Sequence, residues 1–306
     1  MTANETTVIT GCNGLLGCNL IESAPPGQTL HGFDLAATSP FLSGDNYTPM
    51  DITDREALIR RLMELKPDRI INAAAYTSVD GAETEREACW RTNVIGVENL
   101  IYAAHKINAR LVHLSTDYIF DGRDGPYSED DVPNPLGFYG RSKLAAENAL
   151  RGSDIDYVIV RTMILYGAAR AVRPNFVTWL IDRLSRGQGV RIVDDQFGNT
   201  TLADELATAL WKLSDFCGII HIAGHEIIDR CAFALMVADL FDFDPALITP
   251  VKTSQLNQAA PRPLCSGLLI DLARSKGLEM SGAKEGLSKF KKQWDARSRS
   301  GGEAGQ

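Results

Sequence analysis

A chain of 306 residues with 44% hydrophobic content is long enough to bury a proper core as one large domain or two intimate ones. Its net charge of −8 argues against a nucleic-acid partner or an anionic membrane surface. A nucleotide ligand stays open, because helix N-termini and single arginines bind phosphate whatever the net charge. The six cysteines are scattered with no Cys-x-x-Cys pair, which reads as incidental thiols in a reducing compartment. With no signal-like start and no apolar run of membrane-spanning length, a cytoplasmic location is expected.

Thr7–Thr10 is a short apolar run that leads into Gly11-Cys12-Asn13-Gly14-Leu15-Leu16-Gly17, and Leu15–Ser23 then reads as a helix. Strand, Gly-x-x-Gly-x-x-Gly and helix in that order are the context a dinucleotide fingerprint requires. The glycines let the backbone turn tightly and approach a pyrophosphate seated on the helix N-terminus. The next strand, Thr29–Phe33, ends in Asp34. An acid there would hold the adenosine ribose hydroxyls and repel a 2′-phosphate, leaning to NAD(H), although an ordinary turn also accounts for it.

Met50-Asp51-Ile52 closes a further strand, and Thr53–Glu56 has the form of a capping box opening an amphipathic helix to Lys66. Arg69–Asn72 runs as a strand into Ala73, Ala74 and Ala75, then Tyr76 and Thr77. Small side chains let a cofactor lie against a strand end, or simply pack closely. A helix is predicted over 83–106, with acids in its first turn to match its dipole and Asn93 in its middle.

The strand 109–115 ends in hydroxyl residues, and Ser115-Thr116-Asp117 begins a loop rich in Gly, Pro and acids. That loop delivers Tyr139 four residues before Lys143, one turn apart on one helix face. A free tyrosine has a pKa near 10, too high for acid–base work at neutral pH; an ammonium within about 4–6 Å lowers it. The spacing alone is common on amphipathic helices, and its context gives it weight. Further strands are predicted at 156–161, 191–195 and 217–222, with a helix at 175–184 and helices and turns over 227–278. The alternation predicts an α/β fold, a doubly wound parallel sheet.

Longer strings span most of the chain. They are Asn72-Ala-Ala-Ala-Tyr-Thr-Ser-Val-Asp80-Gly-Ala-Glu83, Ser115-Thr-Asp-Tyr-Ile-Phe-Asp-Gly122 through Tyr139-Gly-Arg-Ser-Lys143, Arg161-Thr-x-x-x-Tyr166-Gly167, Asn175-Phe176, Asp194-Asp-Gln-Phe-Gly198-Asn-Thr200 and Arg262-Pro263. Together they resemble the dTDP-4-dehydrorhamnose reductase family of extended short-chain dehydrogenase/reductases, and nearly as closely the regulatory beta subunit of methionine adenosyltransferase. The resemblance implies a Rossmann domain over 1–163 plus about 201–223. A smaller, discontinuous substrate-binding cap would occupy about 164–200 and 224–290; the end of the chain, 298–306, is Ser/Gly-rich and reads as disordered.

It also implies NAD(H) or NADP(H) as cofactor and a nucleotide sugar as substrate, with reduction at C4 of a 4-keto-6-deoxy sugar. Thr116, Tyr139 and Lys143 would be catalytic. Gly11, Asn13, Gly14, Leu15, Leu16, Gly17, Asp34, Asp51, Ile52, Ala73, Ala74, Ala75, Tyr76 and Asn93 would hold or support the cofactor with Tyr139 and Lys143. Thr77, Asp117, Phe120, Ile164, Asn175, Gln196 and Arg262 would orient the sugar nucleotide, Arg262 as the phosphate ligand. No metal is assigned. The protein would form a homodimer, or join a larger enzyme if it is regulatory.

Related sugar-nucleotide dehydratases carry Asp-Glu after the Thr, whereas here Tyr118 follows Asp117, so reduction fits and dehydration does not. Two departures lean toward the regulatory branch. Ile164 stands where the reductases usually have Trp, and the glycine loop reads Gly-Leu-Leu-Gly rather than Gly-Gln-Leu-Gly. A same-fold epimerase is a further alternative.

Overall fold

The computed structural model describes residues 5–169 and 172–302, with the backbone alone over 298–302. Seven strands form one sheet: β1 Glu5–Thr10, β2 Gln28–Asp34, β3 Tyr47–Pro49, β4 Arg69–Asn72, β5 Arg110–Thr116, β6 Tyr157–Thr162 and β7 Gly218–His221. They lie in the order β7-β6-β5-β4-β1-β2-β3, and every neighbouring pair is parallel. The longer helices are α1 Leu15–Glu22, α2 Arg55–Leu65, α3 Gly96–Ile107, α4 Phe138–Arg151, α5 Phe176–Ser185, α6 Ala203–Trp211, α7 Arg230–Leu240 and α8 Ala283–Gly302. This is the doubly wound Rossmann arrangement, with the winding reversing between β1 and β4.

The strands are apolar on both faces because both are covered. Val8, Ile70, Leu111 and Ile159 face a core shared with Leu58 and Leu62 of α2, Leu100 of α3 and Leu150 of α4. Their neighbours Ile9, Ile71, Val112 and Val158 face the opposite core with Leu16 and Leu20 of α1 and Leu206 and Leu210 of α6. Complete burial of each such side chain contributes about 1.5–3 kcal/mol, so register is fixed firmly: a slip of one residue would exchange the two faces.

A third core joins Val177, Leu180 and Leu184 of α5, Phe233 and Val237 of α7, and Leu287 and Phe290 of α8. Strand pairs connect distant segments here: Val190–Val193 with Ile248–Val251, and Phe197–Asn199 with Ile227–Asp229.

Several elements differ from expectation. Asp54, rather than Thr53, caps α2 and accepts from the Ala57 amide at 3.1 Å. The helix expected at 83–106 is a broken run: short helices Gly81–Thr84 and Arg86–Trp90 precede a π-turn at Arg91–Ile95 that leads into α3. The C-terminal α8 runs to Gly302, into the segment expected to be disordered, and 303–306 lie outside the described residues. Leu287, Phe290 and Trp294 explain α8, for they recur on one face and pack into the third core.

Candidate active site

A cavity of about 900 Å³ opens at the C-terminal ends of β1 and β4, where the winding reverses. Its floor is the glycine loop. Gly11 has φ +67°, and a Cβ there would lie 2.7 Å from the Ala74 amide nitrogen. A Cβ on Gly17 would lie 2.3 Å from the Gly11 carbonyl oxygen. Gly14 precedes α1 without a side-chain cap, and the first turn carries no acid. The amides that open this helix are therefore suited to an anion, and the residues fit a dinucleotide pyrophosphate. Asn13, Leu15, Leu16, Asp34, Asp51, Ile52 and Ala73–Ala75 line the same end. Asp34 is oriented by the Asn13 amide, which donates to its Oδ2 at 3.1 Å.

Thr116, Asp117, Tyr139 and Lys143 line the same cavity, as do Thr77, Ile164 and Asn175. Burial, then the charge of Asp117, raises the Tyr139 phenol well above its ordinary 10, and contact with Thr116 pulls the other way. Lys143 is buried and falls to about 8, mainly through desolvation. Its Nζ donates to the Leu114 carbonyl at 2.5 Å and lies 3.2 Å from His113 Nε2. Asp117 is raised to about 6 by burial, although Ser266 donates to its Oδ2 at 2.7 Å and Thr116 to its Oδ1 at 3.0 Å.

The helix that carries Tyr139 and Lys143 is anchored by a buried ion pair. Arg161 donates to both carboxylate oxygens of Glu147, at 3.1 and 2.8 Å, and Ser115 donates to the same group at 2.5 Å. A bidentate pair fixes direction as well as distance, so α4 is pinned to β6.

Five residues expected at the site are outside the cavity lining. Tyr76 donates its amide to Asn93 Oδ1 at 2.8 Å, and Asn93 Nδ2 donates to the Tyr76 carbonyl at 3.1 Å and to Ser142 Oγ at 2.9 Å. Asn93, within the π-turn, thus braces the β4 loop against α4. Phe120 is core, stacked on Tyr127 at 4.2 Å beneath the Arg161 guanidinium. Gln196 bonds Thr253 Oγ1 at 3.0 Å. Arg262 is engaged by Asp80 at 2.7 Å and by the Ala260 carbonyl at 3.0 Å, beside the Tyr118 ring. Asn175 does line the cavity, yet its amide is used as the cap of α5 and as a donor to the Gly167 carbonyl at 2.8 Å. Ile164 holds φ +42°, a strained conformation for a β-branched residue.

Sequence reasoning passed over Arg230 and the cavity residues Arg91 and Arg173. Arg230 lies within electrostatic reach of Tyr118, Asp117 and Arg262, with its guanidinium 5.5 Å from the Phe176 ring. No motif surrounds it in sequence; only the fold brings α7 to this place. Among the described residues no cluster of three or more His, Cys, Asp or Glu is placed to hold a metal, and no helix is long and apolar enough to cross a membrane.

The family profile described as RmlD substrate binding domain matches residues 5–295. The chain belongs to this family. Among its relatives in the family, the dTDP-4-dehydrorhamnose reductase of Mycobacterium tuberculosis is 37% identical over 276 residues, covering 87% of this chain and 85% of the relative. The spore coat polysaccharide biosynthesis protein SpsK of Bacillus subtilis is 30% identical over 285 residues, covering 92% and 95%. Among solved structures, a Bacillus anthracis dTDP-4-dehydrorhamnose reductase in complex with NADP superposes with a TM-score of 0.86 at 32% identity, covering 94% of this chain and 98% of that one.

Proposed function

We propose that this member of the family is an NAD(P)H-dependent reductase of the keto group of a nucleotide-activated deoxysugar. The observation that carries this reading is the placement of Thr116, Tyr139 and Lys143 on the wall of the cavity whose floor is the glycine loop. Gly11–Gly17, Asp34, Asp51, Ile52 and Ala73–Ala75 would hold the cofactor, which supplies a hydride to the ketone carbon when bound. Tyr139 gives its phenolic proton to the oxygen as that oxygen becomes an alkoxide. Burial raises the phenol and so weakens it as an acid, which makes a nearby positive charge on Lys143 the requirement for proton transfer. Lys143 stabilises the phenolate left behind, and Thr116 orients the phenol or the substrate oxygen.

The substrate end takes its cap from about 164–200 and 224–290, set on a cofactor domain of 1–163 plus about 201–223. There the diphosphate has Arg173, which lines the cavity beside Asn175, and two cations beyond the lining, Arg262 and Arg230. Arg262 is ion-paired with Asp80 and Arg230 lies within reach of Asp117, so Arg173 is the cation that the cavity presents directly. Asp34 at the end of β2 disfavours a 2′-phosphate, so NADH is the expected preference, although one relative's structure holds NADP.

The test is loss of reduced-nicotinamide absorbance with NADH or NADPH and dTDP-4-keto-6-deoxy sugars made in situ. Turnover that falls by about 10²–10⁴-fold in Tyr139→Phe, with cofactor binding unchanged, is the expected result. Tight cofactor binding without turnover on any such sugar would overturn the reading.

A further inference from the structure

Behind Lys143 lies a chain of buried polar groups that the reaction as described does not use. Thr10 Oγ1 is 2.6 Å from Asn72 Oδ1, Asn72 Nδ2 is 3.0 Å from His113 Nδ1, and His113 Nε2 is 3.2 Å from Lys143 Nζ. These four residues sit on β1, β4, β5 and α4, and none is more than 2% exposed. A buried donor facing a donor would cost free energy, so the hydrogens along the chain must be ordered consistently.

Two orderings satisfy it. With the Asn72 amide nitrogen toward the imidazole, His113 accepts at Nδ1 and carries its proton on Nε2, which requires an uncharged Lys143 amine as acceptor. With the amide turned over, His113 donates from Nδ1 to the Asn72 oxygen, and its bare Nε2 accepts from a Lys143 ammonium. Burial and the Lys143 charge hold His113 neutral well below its ordinary 6.5, so a doubly protonated ring does not intervene. The ammonium then spends two of its hydrogens on Leu114 and His113, which leaves the third for the cavity that Lys143 lines.

We propose that His113 is a positioning residue for Lys143: it fixes the amine at two inward bonds and exchanges tautomer when the lysine changes charge. Asn72 and Thr10 follow by reorienting, so the lysine can titrate inside the sheet without stranding a donor. The other titratable groups whose charge reaches Lys143 are Glu147 on α4 and Cys89 on the helix Arg86–Trp90, and Tyr139 lies one turn away on α4. Glu147 is held by Arg161 and Ser115 in either state.

The direct test follows the ring nitrogens of His113 by NMR in protein labelled with ¹⁵N-histidine, as pH is raised from about 6 to about 10. The expected result is a change from the Nδ1–H to the Nε2–H tautomer at the Lys143 midpoint of about 8. A single tautomer throughout would overturn the proposal. This arm needs no substrate, so it stands or falls apart from the reductase reading.

The kinetic arm rests on that reading and compares substitutions. Gln at 113 places an amide where Nε2 lies and can accept or donate, whereas Leu can do neither. His113→Leu is expected to lower kcat about ten-fold with the substrate KM unchanged, and to move the alkaline limb of kcat about one pH unit lower, because the ammonium loses an acceptor. His113→Gln is expected to restore both. A Leu profile superposing on wild type would overturn the proposal, and if the Leu variant does not fold, the NMR arm decides.

Discussion

At the glycine-loop end of the cavity the walls are backbone. Gly11, Gly14 and Gly17 are consecutive punctuation in one seven-residue stretch, and what they present is amide groups and space. At the opposite end the groups are side chains drawn from far apart: Asp117 after β5 and Asn175 before α5 on the wall, with Ser266 bonded to Asp117 and Arg230 of α7 within its electrostatic reach. A backbone-built site is written locally, because a turn and a helix start suffice to make it. A side-chain-built site exists only after distant loops have been brought together, so single residues there are replaceable where the glycines are not.

The sharpest way to break that contrast is Gly17→Ala. Its Cβ meets backbone at 2.3 Å, and backbone has nowhere to yield. Cofactor affinity measured by NADH fluorescence titration is expected to fall by about 10²-fold, with overpacking costing about 1–3 kcal/mol or more. Affinity within a factor of two of wild type would show that the loop is more pliant than its contacts imply.

Next comes the joint between the two ends, where Arg161 and Glu147 are at most 2% exposed. Glu147→Leu leaves a buried guanidinium without its counterion and is expected to cost about 3–5 kcal/mol in denaturant unfolding. Glu147→Leu combined with Arg161→Met should recover most of that stability. An equally unstable double variant would assign the cost to packing rather than to the orphaned charge.

Opposite the glycine loop, raising a buried carboxyl from 3.8 to about 6 means that ionised Asp117 opposes folding. Both folded and unfolded forms are protonated below pH 3.8, so the cost is absent there. It grows as pH rises toward about 6 and is constant above that. Asp117→Asn is therefore expected to be more stable than wild type near neutral pH by about 1–2 kcal/mol, after allowance for one weakened hydrogen bond, and equal to it near about pH 4. Urea unfolding at both pH values checks this, and a difference independent of pH would exclude the carboxylate as its cause.

The smallest effect is expected at Asn175, the cap of α5. Asn175→Ala should cost about 1 kcal/mol by thermal or urea unfolding. If kcat/KM falls more than ten-fold while stability moves that little, the amide contacts substrate as well as capping the helix.

Much of the molecule was legible beforehand, for reasons that differ by element. β1, the glycine loop and α1 announce themselves because a parallel strand is apolar, a tight turn needs glycine and a helix has a period. Tyr139 and Lys143 were legible through a spacing that one helical turn makes meaningful. The break in the helix expected at 83–106 was not, since nothing local demands a π-turn, and the partners of Asn93 within it, Tyr76 and Ser142, are distant in sequence. Phe120 was misplaced because aromatic residues suit a substrate wall and a core equally, and only the stack on Tyr127 separates the two.

By itself the sequence determined the α/β alternation, the parallel sheet, the glycine loop between β1 and α1, and the spacing that puts Tyr139 and Lys143 on one face of α4. Each of these follows from periodicity, glycine geometry or spacing within a few residues. Tertiary structure alone decided the rest. It put Arg262 on Asp80 and left Arg230 beside it, pinned α4 through Glu147 and Arg161, and set His113 against Lys143. Those pairings join residues between 14 and 182 positions apart, and charge and hydrogen bonding act through distance in space, which sequence does not record.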